Sequence, residues 1–600
     1  MRRRHRIPFG AEVRETGETS FTLWAPAADG VQLVLVNGDN EEKIPMQRGE
    51  GGVFGVRAEA DAGTLYRYRV DGEQDVPDPA SRYQPEDVHG PSQVVDPESF
   101  DWQDEDWKGR PWEETILYEL HVGSFTPEGT FAGVKEKLDH LVDLGVTAIE
   151  LMPLSDFPGR RNWGYDGVLP YAPDSSYGTP EDLKDLVQTA HEKGLMVFLD
   201  VVYNHFGPEG NYLNSYAPQF FTDRHSTPWG AAVNFDGAGG GRVREYVIHN
   251  ALYWTEEYHI DGLRLDAVHA IHDDSEKHLL EELSERIQEG PGRERHVHLV
   301  LENESNAASY MRSGLYRAQW NDDFHNALHV VLTGETSGYY GGYADAPMRH
   351  LAQCLGEGFA YQGEPSLYRD GEKRGESSGD LPPTSFVSFL QNHDQVGNRA
   401  FGERITALAS PEAVRAAAAI YLLAPQIPML FMGEEWGAEE PFLFFCDFEE
   451  DLAPLVTEGR RAEFASFPEF ADPETRDGIP DPGDGGTFEK SVLDPGSGEH
   501  RNWLEFYKEL LQLRRQEIIP RLENIPGGRS FYRVIGERGL RARWRLGDDS
   551  ILTLLANLDE DPLPEFDEAN GRLLYATGAA TEGGRELPAW TVAWYLEENS

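Results

Sequence analysis

Two cysteines, Cys354 and Cys446, are all that 600 residues contain. That number builds neither a disulfide framework nor a Cys/His metal cluster, and it fits a reducing compartment. Basic charge is also scarce: 53 Lys and Arg stand against 105 Asp and Glu, a net charge of −52. Such a surface repels nucleic acid and anionic membranes, and a neutral substrate suits it better. No stretch approaches the roughly eighteen apolar residues of a membrane span. The basic start, Met1-Arg2-Arg3-Arg4-His5-Arg6, is followed by no apolar run and does not read as a secretory signal. No phosphate-binding loop, dinucleotide fingerprint or zinc-type cluster is present. The expectation is a cytoplasmic, monomeric protein that needs no cofactor and no metal and binds neither nucleic acid nor membrane.

The chain is long enough for two to four domains. Residues 1–95 carry short alternating runs between Gly and Asp turns, such as Phe21–Trp24, Val31–Val36 and Tyr66–Val70, and predict a β-sandwich. From 96 to 523 the rhythm becomes strand then helix. Ile116–Val122, Val146–Leu154, Leu195–Val202, Gly262–His269, His298–Glu302, a stretch within Ala318–Val331, Thr384–Gln391 and Pro428–Met432 read as eight strands. Helices are expected over 134–144, from Pro180 with Thr179 as cap, over 243–259, 275–289 and 411–423, and around Trp503 to Leu511. Eight such repeats predict an α/β fold, a (β/α)8 TIM barrel with long loop insertions. The longest, 440–500, is rich in Pro, Gly, Asp and Glu and reads as a loop. Residues 524–600 predict a small C-terminal β domain, with strands near Ile551–Leu558 and Thr591–Leu596.

In such a barrel, chemistry collects at the C-terminal strand ends. There the sequence places Asp200-x-x-x-Asn204-His205, Arg264-x-Asp266, Glu302-Asn303-Glu304 and Asn392-His393-Asp394, with Asn162-Trp163-Gly164-Tyr165 on the second loop. Side chains two apart on a strand share a face, so Arg264 can hold Asp266 ionised, as a nucleophile requires. Glu302 leaves an apolar strand, and its desolvation would raise its pKa, as an acid requires; Glu304 is the competing acid. Asp394 can stabilise positive charge on a sugar ring, His205 and His393 can donate to hydroxyls, and Tyr165 can stack on a sugar face. Paired carboxylates from different strands, with His, Arg and an aromatic, suit glycoside hydrolysis.

These motifs resemble the α-amylase family of glycoside hydrolases, and Gly164-Tyr165 followed by Tyr177-Gly178 resembles its aromatic platform. The resemblance implies a retaining mechanism on α-glucosidic bonds. It makes Asp266 the nucleophile, Glu302 the acid/base and Asp394 the transition-state stabiliser. Tyr165, His205, Arg264 and His393 are then placed around the cleaved sugar, with His269 on the leaving-group side. The segments 163–173, 205–212, Thr227-Pro228-Trp229-Gly230, 319–325 and 433–437 are most similar to the branch that hydrolyses maltooligosyltrehalose. The N-terminal sandwich resembles modules found in that branch and in branching and debranching enzymes. The implied substrates are maltooligosyltrehalose and related α-glucans, cut at the α-1,4 bond next to the terminal trehalose unit; a branching or debranching enzyme is the rival. Many relatives bind calcium near the residue matching Asn204, but no acidic ligand set is evident around it.

Overall fold

Eight parallel strands close into a barrel: β1 (Leu117–Leu120), β2 (Ala148–Leu151), β3 (Met196–Val201), β4 (Gly262–Leu265), β5 (His298–Leu301), β6 (Ala318–Trp320), β7 (Phe386–Phe389) and β8 (Ile427–Phe431), each paired with the next and β8 with β1. This is a computed structural model describing residues 1–598 except 3, 39, 367–368, 370, 450, 468–469, 471, 495–500, 565–568 and 578–585. The strands are buried on both faces, which is why they read as apolar runs. Gly262 opens β4 because a Cβ there would lie 2.1 Å from the Phe198 ring of β3.

The connecting helices follow local chemistry. Helix Pro180–Glu192 starts with Pro at its first position, and Thr179 and Asp182 form a reciprocal capping box. Helix Pro411–Leu423 has Ser410 accepting the Ala413 N–H, and its alanines pack without side-chain entropy loss. Among the described residues no helix is long and apolar enough to cross a membrane.

Two antiparallel sheets make the N-terminal sandwich, one built around Thr19–Trp24 and Val53–Ala58, the other around Val31–Asn37 and Leu65–Val70. It is tied to the barrel by Arg82, which is buried and pairs with Glu257 on a barrel helix and Glu12 in the sandwich. At the other end lies a five-stranded sheet that includes Ile551–Asn557 and Thr591–Glu597. It docks through the indole N–H of Trp594 on the Ala419 carbonyl and of Trp544 on the Leu355 carbonyl, both 2.9 Å.

Within 318–331 the strand takes three residues and helix Asp322–Thr333 follows, because Asn321 accepts the Phe324 N–H and caps a helix at once. Two expectations change. The helix expected from 275 begins at Leu279, since Asp273 accepts the N–H groups of Ser275 and Leu279 and holds the chain in a turn. The segment 440–500 is not all loop. It holds helices Ala453–Glu463, Pro473–Asp477 and Gly485–Ser491, the last two capped by Asp472 and Asp484. Its residues 450, 468–469, 471 and 495–500 lie outside the described ones.

Candidate active site

At the C-terminal mouth of the barrel one buried cation gathers the carboxylates. Arg264 points inward from β4, and its guanidinium lies 4.1 Å over the Trp320 ring at the end of β6. One Nη1 donates to Asp200 Oδ2 at 2.6 Å and to Asp266 Oδ1 at 2.8 Å; Nη2 is 3.9 Å from Glu302 Oε2. The β3, β4 and β5 ends thus meet at a single side chain with no solvent exposure.

Asp266 follows the last β4 residue and keeps 12 % of its side chain exposed, enough to face a ligand. Asn204 donates its amide to Asp266 Oδ2 at 2.8 Å and to the Asp266 carbonyl at 2.9 Å. Both carboxylate oxygens are therefore held by donors. The next residue, Ala267, has φ 40°, a left-handed conformation that costs a non-glycine residue about 1 kcal/mol or more. The kink turns its N–H onto Glu302 Oε2 at 2.6 Å.

Glu302 itself is pushed well above the usual carboxylate range, first by burial and also by Asp266, against the opposing pull of Arg264. Glu304 differs. Its side chain is 45 % exposed, pairs with Arg369 at 2.7 Å, and is lowered because Arg369 and His269 outweigh its desolvation. His269 is half-buried, with Nε2 3.8 Å from Glu304, and it feels the charges of both Glu304 and Asp266.

Asp394 is 42 % exposed and receives the Asn398 amide at 3.1 Å. Its neighbour His393 is enclosed, with Nδ1 2.5 Å from Glu119 Oε1 at the end of β1, and its ring stacks on Tyr165 at 5.1 Å. Burial works against charge on that imidazole, but Asp394 and Glu119 outweigh it and raise the group to about 9. Tyr165 donates its hydroxyl to Asp200 at 2.6 Å. Asp200 is pushed up to about 6 by burial and Asp266, with Arg264 pulling the other way.

His205 departs from expectation. Its Nε2 lies 2.9 Å from the Tyr165 carbonyl and its Nδ1 contacts Asn204 Oδ1, so both ring nitrogens are taken by protein rather than offered to a hydroxyl. Its ring instead supports Trp229, stacked at 4.7 Å and 49 % exposed on the Thr227–Gly230 turn. Sequence reasoning gave no role to Trp229, Glu119, Asp322 or Trp320. Asp322 lies beside Asp394 and is raised to about 7 by burial and by that neighbour. The available signals were polar residues at the β1 and β6 ends, Glu119-Leu120-His121 and Gln319-Trp320-Asn321-Asp322.

Beside Asp394 opens a recess of about 270 Å³ lined by Glu304, Asp322, Tyr339, Tyr343, Arg369 and Arg374. A wider recess of about 750 Å³ lies among residues 453–484, and none of the residues above lines it. Among the described residues, His89 with Glu209 and Glu449, and His225 with Asp236 and Asp274, are grouped closely enough to hold a metal ion.

Residues 94–227 match the alpha amylase catalytic domain, 8–88 match carbohydrate-binding module 48 (isoamylase N-terminal domain), and 527–594 match a domain of unknown function, DUF3459. A malto-oligosyltrehalose trehalohydrolase of Saccharolobus solfataricus is 43 % identical, covering 85 % of this chain and 87 % of that protein. One from Deinococcus radiodurans is 42 % identical, covering 89 % and 88 %. A crystal structure from Salmonella typhimurium, assigned as an alpha amylase, superposes with a TM-score of 0.93 at 43 % identity, covering 99 % of this chain and 100 % of that one. A 1,4-alpha-glucan branching enzyme of Bacillus caldolyticus matches at 37 % identity over only 43 % of each chain.

Proposed function

The chain belongs to the malto-oligosyltrehalose trehalohydrolase family within the α-amylase family of glycoside hydrolases, and we propose that it cleaves the α-1,4-glucosidic bond next to the terminal trehalose unit of a maltooligosyltrehalose, with retention. The observation that carries the chemistry is Arg264 joining Asp266 and Glu302 in unequal surroundings. A carboxylate with both oxygens hydrogen-bonded, beside a carboxyl whose proton affinity is raised by burial, supplies the nucleophile and the acid of a double displacement.

Asp266, with both oxygens hydrogen-bonded, attacks the anomeric carbon. Glu302, held protonated by burial, gives its proton to the departing trehalose oxygen. It is then the base that draws a proton from water as the glycosyl bond to Asp266 breaks. Asp394 faces the positive charge that develops on the ring, and Tyr165 and His393 frame the same sugar. Each step is assigned to a side chain, and each role is part of the proposal. So are the division into 1–95, 96–523 and 524–600, with the chemistry in the middle part, and a monomeric, cytoplasmic state. The free, buried Cys354 and Cys446 suit that last reading.

The test is a paired incubation with a maltooligosyltrehalose and with a plain maltooligosaccharide of equal length. Trehalose released from the first, with far slower turnover of the second, is expected. Longer branched products, or equal cutting of both, would overturn the reading in favour of a branching or debranching enzyme.

A further inference from the structure

The ring of His393 is flanked by acceptors on both sides. Glu119 takes its Nδ1 at 2.5 Å and its backbone N–H at 3.0 Å, one carboxylate oxygen each. On the far side Nε2 is 3.5 Å from Asp394 Oδ1. An ionised carboxyl only accepts, so the grip of Glu119 keeps a proton on Nδ1. A neutral ring would then present the bare lone pair of Nε2 to Asp394. Only the doubly protonated ring has a hydrogen to donate there.

The other groups around His393 do not supply this control. Arg264 and His121 are cationic or neutral neighbours that oppose its charge or leave it unchanged. Tyr165, Trp163 and Trp320 meet it with their rings. Glu150, opposite Glu119 in the β1–β2 register, is buried, and neither of its oxygens has a hydrogen-bond partner. Burial and the nearby Glu119 and Asp200 push it far above the carboxylate range, so it stays protonated and brings no second negative charge.

We propose that Glu119 is a positioning residue, fixing the tautomer and charge of His393 so that its Nε2–H keeps a positive edge toward Asp394, 3.5 Å away, and is a standing donor to a sugar hydroxyl beside it. The sugar part of this role rests on the function proposed above; the control of His393 does not.

The test uses full-length enzyme with ring-labelled histidine, followed by NMR against pH, alongside kcat/KM profiles of wild type, Glu119→Gln and Glu150→Gln. In wild type the His393 signal is expected to remain that of a charged ring through neutral pH and to titrate near 9. In Glu119→Gln, where one amide oxygen can accept from only one of the two His393 N–H groups and the charge is gone, its titration falls by about two units, and kcat/KM at pH 8 relative to pH 6 drops about tenfold or more beyond wild type. Glu150→Gln exchanges one neutral group for another and leaves the His393 titration in place. A wild-type His393 titrating at the ordinary value of about 6.5 would overturn the proposal without any variant. So would a Glu119→Gln enzyme with an unmoved titration and profile. Should His393 behave as expected while no maltooligosyltrehalose is cut, the proposed function fails and the control by Glu119 stands.

Discussion

Glu302 and Glu304 sit two residues apart and differ in everything that matters for acid catalysis. Glu302 keeps 14 % of its side chain exposed, with Ala267 N–H and the edge of Arg264 near it, while Glu304 is 45 % exposed and paired with Arg369. The raised proton affinity of Glu302 fixes the sign of one pH effect. A general acid must be protonated, so activity is present below its pKa and is lost as pH rises through it. In Glu302→Gln the residual rate on maltooligosyltrehalose should fall by about 10²-fold or more, and its alkaline limb should reduce to the loss set by His393 near 9. An unchanged alkaline limb would move the acid role to another group. The Arg264–Asp266 pair was legible from spacing alone, because two residues apart on a strand means one face. The Glu119–His393 pair was not: the two are far apart in sequence, and a lone Glu in an apolar strand carries no mark of its partner.

The elements were legible where local chemistry and tertiary packing agree. Pro411–Leu423 has a cap, a first-turn proline and an alanine-rich body, and the helix has those bounds. Where two local signals compete, the reading drifted. Trp320-Asn321-Asp322 ends a strand and caps a helix within three residues, so the apolar pattern of 318–331 contains β6 without marking its end. In the 440–500 segment, whose Pro, Gly, Asp and Glu content reads as loop, Asp472 and Asp484 serve as helix caps. The junction after β4 is the most demanding element end. Ala267 holds a left-handed conformation there and serves Glu302 with its N–H. A β-branched residue tolerates that backbone poorly. Ala267→Val should lower stability by about 1–3 kcal/mol and reduce kcat more than it changes KM. Denaturant unfolding and steady-state kinetics check both parts. Wild-type kcat in a destabilised variant would show that the kink supports folding only.

At the scale of the whole molecule the acidity becomes a physical load. A net charge of −52, with only ten lysines, sets like charges against one another over the surface. Buried pairs such as Arg82 with Glu257 and Arg264 with Asp200 fasten the interior, but they leave that surface repulsion in place. Screening contracts from a Debye length of about 30 Å at 0.01 M salt to about 3 Å at 1 M. The thermal midpoint should therefore rise by about 5 °C or more as NaCl goes from 0.05 to 1 M. A midpoint that is flat or falls would mean the acidic surface costs the fold nothing. The barrel, its two flanking β regions and the strand-end constellation were legible because a repeated strand–helix rhythm is a long-range signal. The recess beside Asp394 was not, because its walls come from separate loops whose approach no periodicity records.

The central claim is a double displacement in which Asp266 attacks and Glu302 shuttles the proton. The most direct test is a proton NMR time course of maltooligosyltrehalose hydrolysis by wild type and Asp266→Asn. The account predicts trehalose together with a maltooligosaccharide whose new reducing end first appears as the α-anomer, and at least about 10³-fold slower turnover by the folded Asp266→Asn enzyme. First appearance of the β-anomer, or near-normal turnover by Asp266→Asn, would contradict it.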